Sequence, residues 1–172
     1  MSLQSFFDDQ WKVKSDSYTF GHDIEGTWLL YEAAEILENP ELRKEIADIV
    51  LKMAGVVLNE GIERDGSLLY EGRKGKIINS DKEWWPQAEA VVGFLNAYQI
   101  SKDEKFFKAA QKCWSFIDRC VVDHKKGEWF MKTSRDGTPN LTDPKVGEWK
   151  CSYHNTRMCI EAIHRLQAIV KA

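Results

Sequence analysis

Three short stretches of this sequence place proton-exchanging side chains beside tryptophan. The first stretch, FGHDIEGTW, contains His22, Glu25 and Trp28 at intervals of three residues. Residues three or four apart lie on the same face of a helix, so these side chains share one side of its first turns. Histidine changes its protonation state near neutral pH and can act as an acid and a base in turn. The stretch therefore predicts a proton-transfer group flanked by a carboxylate and a flat ring.

Similar residues recur at two later positions that also begin apolar segments. The stretch EWWPQAE contains Trp85 and Glu89, four residues apart, and EWKCSYHNTR contains His154 and Arg157, three apart, with Trp149 upstream. Helix N-termini offer unpaired N–H groups and a partial positive charge, which suit hydroxyls and developing oxyanions. Indole rings stack on the C–H faces of sugars, while carboxylates and guanidinium groups bond to sugar hydroxyls. Together the three stretches predict a shared cleft for a carbohydrate.

Each of these residues also has an ordinary structural interpretation. A tryptophan in a helix usually packs in the core, a histidine at a helix start is often a cap, and Glu25 could simply complement the helix dipole. The pair His22-Asp23 also occurs in metal-dependent phosphohydrolases, but those enzymes need more histidines than the four in this chain. His124 lies in a charged loop and is expected to be solvated, and His164 is expected to be structural. With no zinc-ligand spacing, P-loop, GxGxxG or GxSxG motif, the sequence predicts neither a metal nor a cofactor.

The composition argues against several classes of partner. The chain has 172 residues and a formal net charge of −3, and its charged residues are mixed along the sequence. Because there is no basic stripe, neither nucleic acid nor an anionic membrane surface is expected to bind, and the apolar runs are too short to span a bilayer. The beginning, MSLQSFFDDQW, lacks the features of a signal peptide. The four cysteines have no CxxC spacing and are expected to be buried and reduced, as in a cytoplasmic protein.

Five helical segments must position the side chains of the cleft. Three segments are apolar on most faces and are expected to lie inside the fold, whereas two carry a single apolar stripe and are expected to lie outside. They alternate along the chain as inner, outer, inner, outer and inner, at residues 23–38, 40–59, 85–100, 103–122 and 153–170.

Stretches with strand character lie between the helix pairs. Residues 66–79 are typical of a hairpin that turns at Arg73–Gly75, and residues 127–139 of a strand that leads into an Asp136-Gly137 turn. The unit of helix pair and β excursion repeats, which predicts an arc of an α/α toroid. A closed ring of six such pairs would need on the order of 400 residues. The expected fold is therefore all-α, half of such a ring in a single domain of residues 1–172, with residues 1–17 as an N-terminal lead-in.

The three stretches resemble the second half of the N-acylglucosamine 2-epimerase superfamily, and the cellobiose 2-epimerases are its most similar members. The resemblance runs from about Tyr18 to Leu166 and implies a partial (α/α)6 barrel with its active site in the barrel mouth. It also implies a change of configuration at C2 of a reducing mono- or disaccharide, without a metal or a cofactor. Once the sugar ring opens, the carbonyl at C1 makes the C2 proton removable, and the reaction needs an acid–base group on each side of that carbon.

The resemblance implies a role for each polar residue of the predicted cleft. His22 and His154, which lie on different inner helices, are expected to remove and return the C2 proton. Glu25 is expected to orient His22 or to hold sugar hydroxyls, and Glu89 to bind the reacting sugar. Arg157 is expected to support His154.

The tryptophans are expected to have different roles, and the resemblance leaves more than one reaction possible. Trp28 and Trp85 are expected to stack on sugar rings, and Trp84 to pack in the core. Return of the proton to C1 instead of C2 would make an aldose–ketose isomerase, and a non-catalytic carbohydrate-binding module would keep the cleft without the chemistry. A hydrolase would need two carboxylates beside a glycosidic bond, for which Glu25 and Glu89 are the available pair.

The first half of the family's barrel has no counterpart in this sequence. Half a barrel cannot close around a sugar, so the polypeptide alone is expected to be weakly active or inactive. Half a toroid also leaves edge helices with exposed apolar sides, and such surfaces tend to be covered by a partner. Self-association along the open edges is therefore expected.

Overall fold

The computed structural model describes residues 2–171, which form five main α-helices with short β excursions between them. The helices are α1 (Phe20–Ile36), α2 (Pro40–Val56), α3 (Trp84–Ser101), α4 (Glu104–Phe116) and α5 (Tyr153–Lys171). They pack as neighbouring pairs in an open arc and not as a closed barrel over the described residues. The prediction of an all-α, partial α/α toroid is confirmed.

The two outer helices, α2 and α4, begin and end in the same way. The side chain of Asn39 accepts hydrogen bonds from the first N–H groups of α2, and the side chain of Asp103 does the same for α4. Each outer helix then widens into a five-residue π-helical turn, Val57–Gly61 after α2 and Ile117–Val121 after α4. The sequence pattern predicted uninterrupted helices here, because apolar spacing does not distinguish a wide turn from an α-helical one.

Helix α3 forms the centre of the arc. Every residue from Trp84 to Ala97 is buried, because α1, α2, α4 and α5 all pack around this helix. Helix α1 is buried where it faces α2 and α3, and helix α5 where it faces α3. Each also exposes large apolar residues: Leu29, Leu30 and Ile36 on α1, and Ile160, Ile163 and Leu166 on α5. The interior position predicted for three helices therefore holds fully for α3 and in part for the other two.

Two small antiparallel sheets hold the beginnings of the inner helices at one end of the arc. The first contains β1 (Tyr18–Thr19), β2 (Glu71–Arg73) and β3 (Lys76–Asn79), and the second pairs β4 (Lys82–Glu83) with β5 (Lys132–Thr133). Strand β1 leads directly into α1 and strand β4 into α3. The hairpin between β2 and β3 is confirmed, with a two-residue turn at Lys74 and Gly75, both at positive φ.

Two buried lysines anchor the loops that precede the inner helices. The Lys82 ammonium, just before α3, lies 3.0 Å from a carboxylate oxygen of Glu63 in the loop after α2. The Lys150 ammonium, just before α5, lies 2.8 Å from a carboxylate oxygen of Glu128 in the loop after α4. Both lysine side chains are fully buried, so each pair is shielded from water. Equivalent ion pairs therefore tie successive repeats together beneath the end of the arc where the inner helices begin.

The cysteines only partly match the expectation of four buried thiols. Cys113 is buried and Cys120 partly buried, but Cys151 and Cys159 are exposed. The expectation was wrong for the last two because Cys151 lies in the exposed loop before α5 and Cys159 on a part of α5 that no other described helix covers. Within residues 2–171, none of the helices combines the length and the apolar character that crossing a bilayer requires.

A matched pair of glycine substitutions tests the close packing of α1 against α3. A Cβ atom at Gly93 in α3 would lie 2.6 Å from the Ile24 side chain and 2.7 Å from its carbonyl oxygen, whereas a Cβ atom at Gly55 in α2 would meet nothing within 4 Å. Gly93→Ala is expected to lower the free energy of unfolding by about 1–3 kcal/mol, because α1 must move away. Gly55→Ala is expected to raise it by about 0.5–1 kcal/mol. Urea unfolding followed by circular dichroism measures both, and equal effects would contradict the close contact.

Candidate active site

Trp85 lies in contact with both histidines of the predicted cleft. The centroid of its ring is 4.8 Å from the imidazole of His22 on α1 and 5.6 Å from the imidazole of His154 on α5. The three residues come from the first turns of three different helices, α1, α3 and α5, which begin at the same end of the arc. Two imidazoles from distant parts of the chain therefore meet at one indole.

Both histidines line an open pocket of about 460 Å³, a volume in the range of small-molecule sites. The pocket wall combines residues of the inner helices with residues of the loops: His22, Glu25, Tyr70, Glu83, Trp84, Trp85, Met131, Trp149 and His154. Trp149 is 89% exposed at its rim, whereas Trp85 is only 9% exposed because the imidazoles and Tyr70 pack against its ring.

Glu89 lies at the centre of a hydrogen-bond network below the pocket. Its carboxylate is 1% exposed, and Oε2 accepts a hydrogen bond of 3.0 Å from Nε1 of Trp28. Oε1 accepts hydrogen bonds of 2.7 Å from both Nδ1 of His154 and Nη2 of Arg157. Because both oxygens are bonded within the protein, the geometry favours Glu89 as the residue that orients His154. This differs from the expectation that Glu89 binds the sugar itself.

Arg157 joins the two carboxylates of the site. Its Nη2 atom lies 2.6 Å from Oε1 of Glu25 as well as 2.7 Å from Oε1 of Glu89, and its guanidinium covers the ring of Trp28 at 4.8 Å. Burial works against the charged form of Arg157, but the hydrogen bonds and negative charges of Glu89 and Glu25 raise its pKa above the ordinary value. Arg157 therefore remains a cation that balances the buried negative charge.

Trp28 lies beneath the pocket and not on its wall. Its indole is 3% exposed, with one face under the guanidinium of Arg157 and the N–H bonded to Glu89. The expectation that Trp28 stacks on a sugar finds no exposed ring face in this structure. The position of Trp28 instead favours support of Glu89.

His22 is held by a residue that the sequence did not single out. Its Nδ1 atom and the hydroxyl oxygen of Thr19 are 2.5 Å apart and share a hydrogen bond. Thr19 occupies the N-cap position of α1, where such a hydroxyl usually bonds to the helix backbone, but here it makes no backbone cap. Glu25, expected as a possible partner of His22, pairs with Arg157 instead. A threonine three residues before the histidine was the available signal.

The β excursions supply further residues of the pocket wall that sequence reasoning missed. Tyr70 packs edge-on to Trp85 with ring centroids 6.4 Å apart. Glu83 lies in the wall just before α3, and burial raises its pKa although a hydrogen bond from Trp85 opposes the shift. Met131 comes from the loop before β5. These residues carry no helical spacing, so no local pattern pointed to them.

Three groups of the site are close enough to hold a cation. Atoms of Glu25, Glu89 and His154 lie within 4.8 Å of one another. Arg157, however, donates to both carboxylates and occupies the space between them. Its guanidinium supplies the positive charge that a metal ion would otherwise bring. Arg157 therefore offsets part of the negative charge of the two carboxylates.

The arrangement is suited to proton transfer at a bound ligand. In both histidines Nδ1 is held by a neighbour, Thr19 for His22 and Glu89 for His154. Holding one ring nitrogen fixes the orientation of an imidazole and leaves Nε2 for exchange with a ligand. Two such groups on one pocket can remove a proton and return one.

Comparison with known proteins identifies relatives over almost the whole chain. Residues 1–157 match the family model described as N-acylglucosamine 2-epimerase (GlcNAc 2-epimerase). A cellobiose 2-epimerase from Dictyoglomus turgidum is 48% identical over 165 residues, which are 95% of this chain and 42% of that enzyme.

Solved structures with the (α/α)6 fold contain the same arc of helices. A sugar epimerase from a ruminal bacterium superposes with a TM-score of 0.90 at 42% identity, covering 95% of this chain and 42% of that one. A cellobiose 2-epimerase from Spirochaeta thermophila superposes with a TM-score of 0.86 at 36% identity, covering 98% and 42%. The chain thus spans less than half the length of these relatives.

Replacement of Trp28 by phenylalanine tests the network around Glu89. The variant keeps a ring below Arg157 but leaves Oε2 of the buried carboxylate without its donor. Trp28→Phe is expected to lower the free energy of unfolding by about 1–3 kcal/mol. The control Trp114→Phe, on a ring that is 45% exposed, is expected to change it by less than about 0.5 kcal/mol. Equal losses in chemical denaturation would show that the hydrogen bond contributes nothing specific.

Proposed function

Because this chain belongs to the N-acylglucosamine 2-epimerase family, we propose that it carries the proton-transfer part of a sugar 2-epimerase. The substrate is a mono- or disaccharide with a free reducing end, and the names of the relatives point to cellobiose. His22 and His154 exchange the proton at C2 of the open-chain sugar. The observation that carries the proposal is the contact of both imidazoles with Trp85 in one pocket.

The chemistry follows from the carbonyl at C1. One histidine takes the C2 proton through Nε2, the C–H electron pair forms the C1–C2 double bond, and the carbonyl electrons move onto the C1 oxygen as an enediolate. The other histidine then donates a proton to the opposite face of C2, and the carbonyl forms again. The N-terminus of α3 at Trp85 directs partial positive charge toward the pocket and favours the negative oxygen.

Glu89 and Arg157 prepare His154 for this exchange. A carboxylate bonded to Nδ1 keeps the proton on that nitrogen and stabilises the imidazolium that forms when Nε2 takes a proton. Arg157 balances the negative charge of Glu89 and Glu25 in the absence of a sugar. Trp85 and the exposed Trp149 supply the rings against which the sugar packs.

The remaining part of the barrel is needed for full activity. The chain spans 42% of the length of its cellobiose 2-epimerase relatives, and its pocket is open on one side. The polypeptide alone is therefore weakly active or inactive. A cytoplasmic location belongs to the same proposal, since a reducing compartment suits the four unpaired cysteines of residues 2–171.

Hydrogen exchange at C2 tests the roles of the two histidines. We would join the part of the Dictyoglomus turgidum enzyme that this chain lacks to the present chain and incubate the product with cellobiose in deuterated water. Proton NMR would follow the loss of the C2 proton. His22→Asn and His154→Asn are each expected to slow formation of the C2 epimer by about 100-fold or more, because each removes one of the two proton-transfer groups. Loss of the C2 proton of cellobiose is expected to slow as strongly only in the variant that lacks the histidine on the side of that proton.

The exposed His124 provides the control for this experiment. It lies in a loop away from the pocket, bonded to the carbonyl oxygen of Asp118, so His124→Asn is expected to leave the exchange rate unchanged. Exchange that survives in both the His22 and the His154 variants would refute the proposed pair. Saturable sugar binding without exchange in the parent fusion would favour a non-catalytic binding module, and a ketose product would identify an isomerase.

We also propose that the isolated chain associates with a second copy of itself. An apolar groove of about 400 Å³ runs between α3, α4 and α5, and the far side of α1 is apolar as well. Two arcs related by a two-fold axis would place the α5 edge of each copy against the α1 edge of the other, which covers both surfaces at once.

Light scattering tests this association. The molar mass measured for the chain is expected to be twice that of the monomer. Ile163→Glu puts a charge at a half-exposed position of the groove and is expected to reduce the measured mass to that of the monomer. Leu141→Glu, at a 79% exposed loop position, is the matched control and is expected to remain dimeric. A monomer at the highest soluble concentration would contradict self-association.

A further inference from the structure

A second polar layer lies on the same three inner helices, about two turns below the active site. The upper layer contains Glu25 of α1, Glu89 of α3 and Arg157 of α5. The lower layer contains the corresponding residues seven or eight positions further along each helix: Glu32, Asn96 and Arg165. Intervals of seven and eight residues return to the same helix face, so both layers lie along the surface where α1, α3 and α5 meet.

Arg165 connects all three helices in the lower layer. Its Nη2 atom lies 2.5 Å from Oε1 of Glu32 on α1. Its Nη1 atom donates to the side-chain oxygens of Asn96 at 3.1 Å and Gln99 at 2.8 Å, both on α3. Only 10% of the arginine side chain is exposed. A planar guanidinium carries its donors on separate nitrogen atoms in a fixed geometry, which suits it to bonding with two helices at once.

Helix α5 depends on such anchors because it has few buried apolar residues. Of its 19 residues, only Asn155, Met158 and Arg165 are buried, with Ala162 and Ile169 partly buried against the core. Its other large apolar side chains face outward. Polar contacts near the beginning of α5 and those of Arg165 in its second half therefore add to a small apolar contact with the core.

We propose that Arg165 is a positioning residue, whose bridge to Glu32 and Asn96 sets the angle of α5 and so places His154 against Glu89 and Trp85. Loss of the bridge frees the second half of α5 to pivot about Met158. The first turn of the helix then moves with it, and the contact of 2.7 Å between His154 and Glu89 is lost or weakened. The effect of this placement on a sugar rests on the proposed function, but the placement itself does not.

NMR of the imidazole nitrogens in the full chain tests the placement directly. Labelling with ¹⁵N-histidine gives signals from four rings, and the His154→Asn variant identifies that of His154 by its disappearance. Arg165→Met is expected to shift or broaden the His154 nitrogen signals, because Nδ1 no longer donates steadily to Glu89. His124, in a distant exposed loop, is expected to keep its signals and serves as an internal reference.

Three further variants keep the test decisive. Arg165→Lys retains the charge but reaches only one helix, and Glu32→Gln weakens the bond to α1, so each is expected to give a smaller shift of the His154 signals than Arg165→Met. Arg43→Met, an exposed arginine on α2, is the matched control and is expected to cause none. If Arg165→Met does not fold, the His154 signals of Arg165→Lys and Glu32→Gln test the proposal instead.

The result that would overturn the proposal is clear. If the Arg165 and Glu32 variants fold, as judged by circular dichroism, and the His154 signals coincide with those of the parent chain, Arg165 only contributes to stability. This measurement needs no sugar and no turnover. Shifted His154 signals would therefore support the placement even if C2 exchange is never observed, and failure of either proposal can be recognised separately.

Discussion

The buried carboxylate of Glu89 is the interaction on which the rest of the site depends. A carboxylate that is 1% exposed loses its hydration, and an isolated charge in that position would be strongly destabilising. Here the cost is offset by three donors, Trp28 from α1 and His154 and Arg157 from α5. Because Glu89 itself belongs to α3, the same hydrogen bonds that satisfy the charge also join the three inner helices. Placement of His154 and cohesion of the arc are thus two consequences of one network.

The loops between the helices make that network possible by bringing three helix starts to one end. Strand β1 leads into α1 and strand β4 into α3, so the short sheets hold His22 and Trp85 at the same height. The buried ion pairs of Lys82 with Glu63 and Lys150 with Glu128 repeat this attachment in each unit. The repeated helix pairs supply the scaffold, whereas the β excursions complete the pocket with Tyr70 and Glu83.

The exposed apolar sides of α1 and α5 lie where a complete barrel would have further helices. In an (α/α)6 barrel each inner helix is covered on both sides, and the relatives are more than twice as long as this chain. Over the residues described, α3 is the inner helix with neighbours on both sides, while α1 and α5 expose apolar side chains. Within the same residues, His154 of α5 contacts Glu89, and both Arg157 and Arg165 bond from α5 to α1 and α3.

The sequence was sufficient to predict the alternation of inner and outer helices, a hairpin that turns at Arg73–Gly75, and the three stretches that bring His22, Trp85 and His154 to helix starts. Those features follow from apolar periodicity and turn chemistry, which are local properties of the chain. The partner of each side chain emerged only in the folded chain: His22 bonds to Thr19 while Glu25 pairs with Arg157, and Glu89 accepts a hydrogen bond from His154. Trp28 lies beneath the pocket, and both Cys151 before α5 and Cys159 on α5 are exposed. The contacts of Glu89 with His154 and of Glu25 with Arg157 join residues 65 and 132 positions apart, so the spacing of residues along one helix carries no information about them.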